Sequence, residues 1–281
     1  METLTHALQT ILAVKNPLLP VETKRILLKE GLQSYVLDFI YNHPVYRRLN
    51  FYGGTCLHVV YGLERLSEDL DLDNSAEINL ETLKDDLVTL FANKYEYKDL
   101  SIKTQQGENG VYRGTLKFPL LNALGLSSYA NEALHLKVEV SHHRQVALIQ
   151  NTPVFYHGRS FVPSHFSLET MMAGKMIACI ERNFQRGKQG AFIKGRDFYD
   201  LLWFMHKGTQ PLAEKLEKDG KKPYTAQLAF HELQKKISSI KTADLAVDLL
   251  PMFESQQYVN NWLDSFHQNF ERYARNYTNP Q

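Results

Sequence analysis

The chain has only two cysteines, Cys56 and Cys179, and both sit inside apolar runs. Two thiols are too few for a disulfide framework, and their setting suits a reducing cytoplasm. Long hydrophobic stretches are missing too. No apolar run approaches the roughly eighteen residues that a membrane span needs, so no membrane association is expected. The opening residues METLTHALQTILAVKN carry acidic Glu2 at the front and no basic region or cleavage site, which argues against a signal peptide. Neither sign of charge is in excess: the formal net charge is +1, which neither demands nor excludes nucleic acid. Internal repeats and low-complexity segments are absent. What remains is 281 residues, 43% hydrophobic and 22% charged, enough for one large core or two modest ones.

The most informative stretch runs from Phe51 to Asp73, FYGGTCLHVVYGLERLSEDLDLD. Gly53, Gly54 and Thr55 are followed by three carboxylates at alternate positions, Asp69, Asp71 and Asp73. Alternate residues of a strand share a face, so these acids line one side while Leu70 and Leu72 pack on the other. Carboxylates this close repel one another unless a cation sits among them, and Mg²⁺ pairs one or two such groups with substrate phosphates. The glycines let backbone approach a phosphate, and a short helix from Cys56 to Tyr61 would point its N-terminal amides at an anion. Gly-Gly before a helix is by itself an ordinary turn, and a DLDLD run by itself suits a charged edge strand. Together, at this spacing, they predict phosphoryl or nucleotidyl transfer.

The segment resembles the first motif of the AbiEii/AbiGii-type nucleotidyltransferase toxins, a branch of the DNA-polymerase-β-like nucleotidyltransferase superfamily. The matching positions are Gly53, Gly54, Thr55, Leu57, Gly62, Arg65, Ser67, Asp69, Leu70 and Asp71. A second, weaker match lies in AGKMIACIER and GRDFYDLLWF, at Ala173, Lys175, Ala178, Arg196, Asp197 and Asp200. The resemblance implies an α+β fold: a polymerase-β-like mixed sheet with flanking helices, followed by a helical C-terminal region. On this reading residues 1–160 form the nucleotidyltransferase region, and 161–281 form a helical region completing the active-site cleft. It also implies an enzyme that moves a nucleoside monophosphate from an NTP to an acceptor. Several members of that family act on the 3′ end of tRNA, as the toxin of a toxin–antitoxin or phage-defence pair, so a cognate antitoxin is a possible partner.

Site roles follow from both sources. Asp69 and Asp71 are the expected ligands of a two-metal Mg²⁺ site, by motif and by strand geometry. The strand LHLKVEV places Leu134, Leu136, Val138 and Val140 on one face, and His135, Lys137 and Glu139 on the other. If it neighbours the DLD strand, Glu139 supplies the third carboxylate, with Asp73 as the alternative. Gly53, Gly54, Thr55, Arg65 and Ser67 are the expected nucleotide-binding residues, with the Thr55 hydroxyl donated to a phosphate. Arg65 either grips phosphate or pairs with Asp69 and Glu68, and Ser67 either meets phosphate or holds the turn. The family match assigns Lys175 to the triphosphate and makes Asp197 essential, and antiparallel helices would bring the two together. The paired histidines His142 and His143 lack companion cysteines, which speaks against zinc.

Along the chain, helical spacing is expected over 22–42, 80–95, 168–184 and 197–206, and a hairpin over 98–118 around Gly-Glu-Asn-Gly. Further helices follow, broken near Gly220–Pro223 and Pro251. The glycine-rich basic segment from Arg182 to Lys194 is the expected RNA contact, since Lys and Arg contacts to phosphate dominate such affinity. Two other readings compete: a nucleotidyltransferase acting on a protein or small molecule, and a non-catalytic nucleotide- or partner-binding module. The intact Asp69, Asp71, Glu139 and Lys175 argue against the latter.

Overall fold

Two periodicities organise the chain, alternation in its first half and helical spacing in its second. A computed structural model describes residues 3–107, 111–142, 145–182 and 193–278, together with the backbone of 186–187 and 190–191. It divides into two units, residues 1–144 with 150–165, and residues 145–149 with 166–281. The tip of the expected hairpin, His143 and most of the basic segment 182–194 lie outside the described residues.

The first unit is built on a mixed sheet. Its strands are β1 (Asn50–Tyr52), β2 (Leu70–Asp73), β3 (Ser101–Gln106), β4 (Tyr112–Phe118), β5 (Leu134–Ser141), β6 (Ile149–Asn151) and β9 (Ser164–Phe166), in the spatial order β3-β4-β5-β2-β1-β9-β6. The helices are α1 (Leu4–Ala13), α2 (Val21–Asn42), α3 (Gly53–Tyr61) and α4 (Leu83–Lys94). Leu70, Leu72, Leu116, Phe118, Leu136, Val138 and Val140 are buried. Tyr35 of α2 and Phe91 of α4 meet at 6.1 Å, and Phe91 meets Phe118 of β4 edge-on at 5.2 Å, so the two helices cover the apolar face of the sheet.

Two features escaped the periodicity. α1 was not expected as an element, and β6 and β9 have three residues each, too short for alternation to register. A separate hairpin, β7 (Val154–Tyr156) with β8 (Arg159–Phe161), turns on His157 and Gly158 at φ 45° and 75°. Positive φ at both central residues is the turn whose twist matches paired strands.

The second unit is helical apart from a short two-stranded ribbon, β10 (Arg186–Gly187) with β11 (Gly190–Ala191). It contains α5 (Leu168–Glu181), α6 (Gly195–His206), α7 (Ala213–Lys218), α8 (Ala226–Ile237), α9 (Thr242–Leu249) and α10 (Gln256–Thr278). Ser167 caps α5, accepting from the Thr170 amide at 3.3 Å. Phe198, Leu201, Leu202, Trp203, Phe204 and Met205 bury α6 on nearly all sides, and α5, α9 and α10 pack around it. Lys215 is buried at 4% exposure because its ammonium meets Asp219 at 2.6 Å and the Val146 carbonyl at 3.2 Å. Among the described residues no helix is long and apolar enough to cross a membrane.

Phe91 closes the helix–sheet core, so Phe91→Ala should cost about 3–5 kcal/mol through lost burial and a cavity. Chemical denaturation of the two proteins side by side checks this.

Candidate active site

β2 lies between β1 and β5, and this placement creates the site. β2 pairs parallel with β5, with Asp71 opposite Glu139 and Asp73 opposite Ser141. It pairs antiparallel with β1, with Tyr52 opposite Asp71 and Asn50 opposite Asp73. β4 extends the row, placing Arg113 opposite Glu139. One cross-strand row therefore reads Tyr52, Asp71, Glu139, Arg113 on the polar face. The phenol of Tyr52 registers the charge beside it: burial, and then the Asp71 carboxylate, push its pKa up to about 12.

The second row serves a different purpose. Asp73 is buried at 2% exposure, and its Oδ2 accepts from Asn50 Nδ2 and from the Ser75 amide, both at 3.2 Å. Ser164 in turn donates to Asn50 Oδ1 at 2.7 Å. These contacts make Asp73 a tie between strands and turn, whereas Asp71 and Glu139 are only half-buried.

Gly53 opens α3 at φ 79°, a conformation costly for other residues. A Cβ built there would lie 2.9 Å from Asp71 Cγ, so the missing side chain gives the carboxylate its room. At Gly54 an added Cβ would strike the guanidinium of Arg65, with Cζ 3.3 Å away. The helix begins three residues earlier than the expected Cys56, which puts both glycines inside its first turn. Arg65 is buried at 2% exposure and donates to the Leu66 carbonyl at 3.0 Å, while Glu68 is paired with Lys29 at 2.8 Å.

The expectation that Thr55 offers its hydroxyl to a phosphate meets a different geometry. Thr55 is fully buried, its hydroxyl bonded to the Asp69 carbonyl and 2.7 Å from the Ser67 hydroxyl. Ser67 is likewise held by the fold: its amide donates to Glu30 at 3.0 Å, and its carbonyl accepts from Gln33 at 2.9 Å. Helix α2 thus grips the peptide two residues before Asp69. Glu30 and Gln33 were missed in the sequence because they lie outside the motif, and Tyr52 was given no role although it stands directly before Gly53.

In the second unit, Lys175 Nζ lies 2.8 Å from Asp197 Oδ1 and 2.9 Å from Asp200 Oδ2. Arg182 pairs with the other Asp197 oxygen. The two helices do bring Lys175 and Asp197 together. Burial would raise the Asp197 pKa, but the Lys175 ammonium and the Arg182 guanidinium outweigh it and hold the carboxyl well below the usual range.

The donors of the row are hard carboxylate oxygens, which suit Mg²⁺. Among the described residues no group of three His, Cys, Asp or Glu side chains is arranged to hold a metal ion. Glu139 instead meets Arg113 Nε at 3.3 Å, with side-chain exposures of 37% and 51%. A pair this exposed contributes about 1 kcal/mol or less, so a divalent cation could displace the arginine easily. Asp71 and Glu139, in register on neighbouring strands, are two hard oxygen donors of the kind that ion takes.

The sequence comparison identifies the family. The model of the family described as nucleotidyl transferase AbiEii toxin, Type IV TA system, matches residues 39–275. The chain belongs to that AbiEii family, and it is a nucleotidyltransferase. Among solved structures it resembles one from H. pylori described as a candidate nucleotidyltransferase, at 18% identity and a TM-score of 0.51, covering 90% of this chain and 94% of that one. That likeness shows the fold. JHP933 from Helicobacter pylori is similar at 18% identity and a TM-score of 0.49, over 90% of this chain and 91% of that one. Among curated proteins no significant match is found.

Removing one member of the Lys175 cluster leaves buried charge unpaired, so Lys175→Ala and Asp197→Ala should each cost about 3 kcal/mol or more. The double variant should fall short of their sum by about 1–3 kcal/mol, and additive losses would show that the contact carries no coupling. The depressed Asp197 pKa also sets a pH dependence. Its stabilisation is complete above the ordinary carboxylate pKa of about 4 and is lost as pH falls towards the folded-state value. The stability gap between wild type and Asp197→Asn should therefore narrow below about pH 4, read from melting temperatures across pH.

Proposed function

We propose that this protein uses Mg²⁺ to transfer a nucleoside monophosphate from an NTP to an RNA acceptor, acting in the cytoplasm as the toxin of a toxin–antitoxin or phage-defence pair. The observation that carries the chemistry is the register of Asp71 with Glu139 beside the glycines that open α3. Family membership supports the toxin role and a cognate antitoxin. The tRNA 3′ end is the acceptor that the motif resemblance favours.

Asp69, Asp71 and Glu139 would hold the metal, which when bound screens the triphosphate and favours ionisation of the attacking hydroxyl. Asp73 is the weaker choice because Asn50 and Ser75 already engage it. The first amides of α3, at Gly53 and Gly54, would meet a phosphate through the positive end of the helix. Arg65 and Ser67 act from beneath: the arginine backs Gly54, and Ser67 fixes the approach to Asp69. Thr55 contributes through the same packing, its hydroxyl locking the loop to the helix. The motif resemblance assigns Lys175 a role with the triphosphate, and within its own unit Asp197 and Asp200 hold its ammonium. Both cysteines are buried free thiols, in keeping with a reducing compartment.

Incubating the protein with each labelled NTP, Mg²⁺ and total RNA tests the reading directly. Label should enter RNA with one or two of the nucleotides and vanish when the metal is chelated. Label in protein or in a small molecule would replace the acceptor, and no transfer to anything would remove the assignment. Asp69→Asn and Asp71→Asn should each reduce transfer by about a hundredfold or more, because a hard anionic ligand is lost with little change of shape. Glu139→Gln should be comparably severe and Asp73→Asn mild. The reverse order would mean that the third ligand is Asp73.

A further inference from the structure

A cavity of about 880 Å³ opens in the first unit, and none of the proposed catalytic residues lines it. Its floor is aromatic, with Tyr41 and Phe161 buried and their rings stacked at 6.1 Å. Its rim is cationic. Arg47 and Arg48 stand side by side in the turn between α2 and β1, and both are exposed. Arg48 donates to the Ala76 carbonyl at 3.4 Å, while Arg47 has no side-chain hydrogen bond or ion pair among the described residues. Phe155, on the β7–β8 hairpin, stands at the same rim with 77% of its surface in solvent. None of the twelve lining residues is acidic.

This combination selects its ligand. Two unneutralised guanidinium groups call for anions, and their planar forks suit phosphate. The exposed phenyl ring and the aromatic floor call for a flat, partly apolar body, which a nucleobase supplies. Metal-bound triphosphate fits less well, since no carboxylate is present to share its cation. A duplex fits less well too, since its bases are already stacked. The cavity also lies close to the proposed chemistry. Ser164 lines it and donates to Asn50, and Asn50 precedes Tyr52 by two residues on β1. Two strand residues span about 7 Å and each step to a neighbouring strand adds about 4.8 Å, so Ser164 stands about 8 Å from Tyr52 and about 12 Å from Asp71 along the sheet.

We propose that this cavity seats a nucleotide of single-stranded acceptor RNA, its base against Phe155 and the Tyr41–Phe161 floor and its phosphates on Arg47 and Arg48, so that the strand end is led to the carboxylate row. The proposal rests on the reading that the acceptor is RNA.

The test is fluorescence anisotropy of the full chain with a labelled single-stranded oligoribonucleotide of about eight nucleotides. Arg47 and Arg48 are exposed and Phe155 projects into solvent, so their substitution leaves the core intact. The Arg47→Ala/Arg48→Ala double variant and Phe155→Ala should each weaken binding about tenfold. The arginine variant should also show a flatter dependence on salt, by about two phosphate contacts, while Phe155→Ala keeps the wild-type slope. In the transfer assay both should raise KM for RNA. Wild-type binding in both variants would overturn the site while RNA labelling still stood, and a surface made for a protein partner would give that result. A wild-type protein that neither binds nor labels RNA would overturn the acceptor reading, and this proposal with it.

Discussion

The register of a four-residue strand governs this protein. β2 must show leucines to the helices and carboxylates to the open face, and a slip of one residue would exchange the two. Three constraints prevent the slip. Leu70 and Leu72 are fully buried, β1 and β5 hold both edges, and α2 anchors the approach by gripping the Ser67 peptide through Glu30 and Gln33. The last contact matters because a loop of two or three residues transmits its position directly to Asp69. Thr55 adds a cross-link from α3 to the same loop, so helix and strand move as one. The glycines then admit the Asp71 carboxylate and the Arg65 guanidinium to the first turn of the helix.

Carboxylates in this chain are treated in two ways, and the difference separates structure from proposed chemistry. Asp73 and Asp197 are buried and answered by neighbours: Asn50 and Ser75 for one, Lys175 and Arg182 for the other. Taking away one partner of the Asp197 cluster leaves a buried charge unanswered, which is what makes such a group expensive. Asp71 and Glu139 share a row and stay half-exposed, the latter paired with a solvent-screened arginine. At the cavity of Arg47 and Arg48, by contrast, two exposed arginines stand among lining residues none of which is acidic.

Much of the architecture was legible because alternation and helical spacing are local signals. The faces of the Leu134–Val140 strand, the helix over 22–42 and the Ser167 cap are all written in nearest neighbours. The shorter strands were not. Three residues carry no period, and β6 and β9 find their places through partners far away in the chain. Thr55 shows the same limit on a smaller scale. A hydroxyl beside two glycines suggests a phosphate ligand, yet its orientation depends on the loop that ends at Asp69, fourteen residues later.

By itself the sequence determined the α+β class, the family and which residue types alternate with which, because motif spacing and periodicity survive without contacts. Only the tertiary structure decided which acids stand together. That Glu139 faces Asp71, that Asp73 is tied to Asn50, and that Lys175 sits between Asp197 and Asp200 are results of strand order and helix packing. These join residues up to about seventy positions apart, and the hydrophobic burial that fixes such pairings is non-directional and summed over the whole core. No local pattern can encode it.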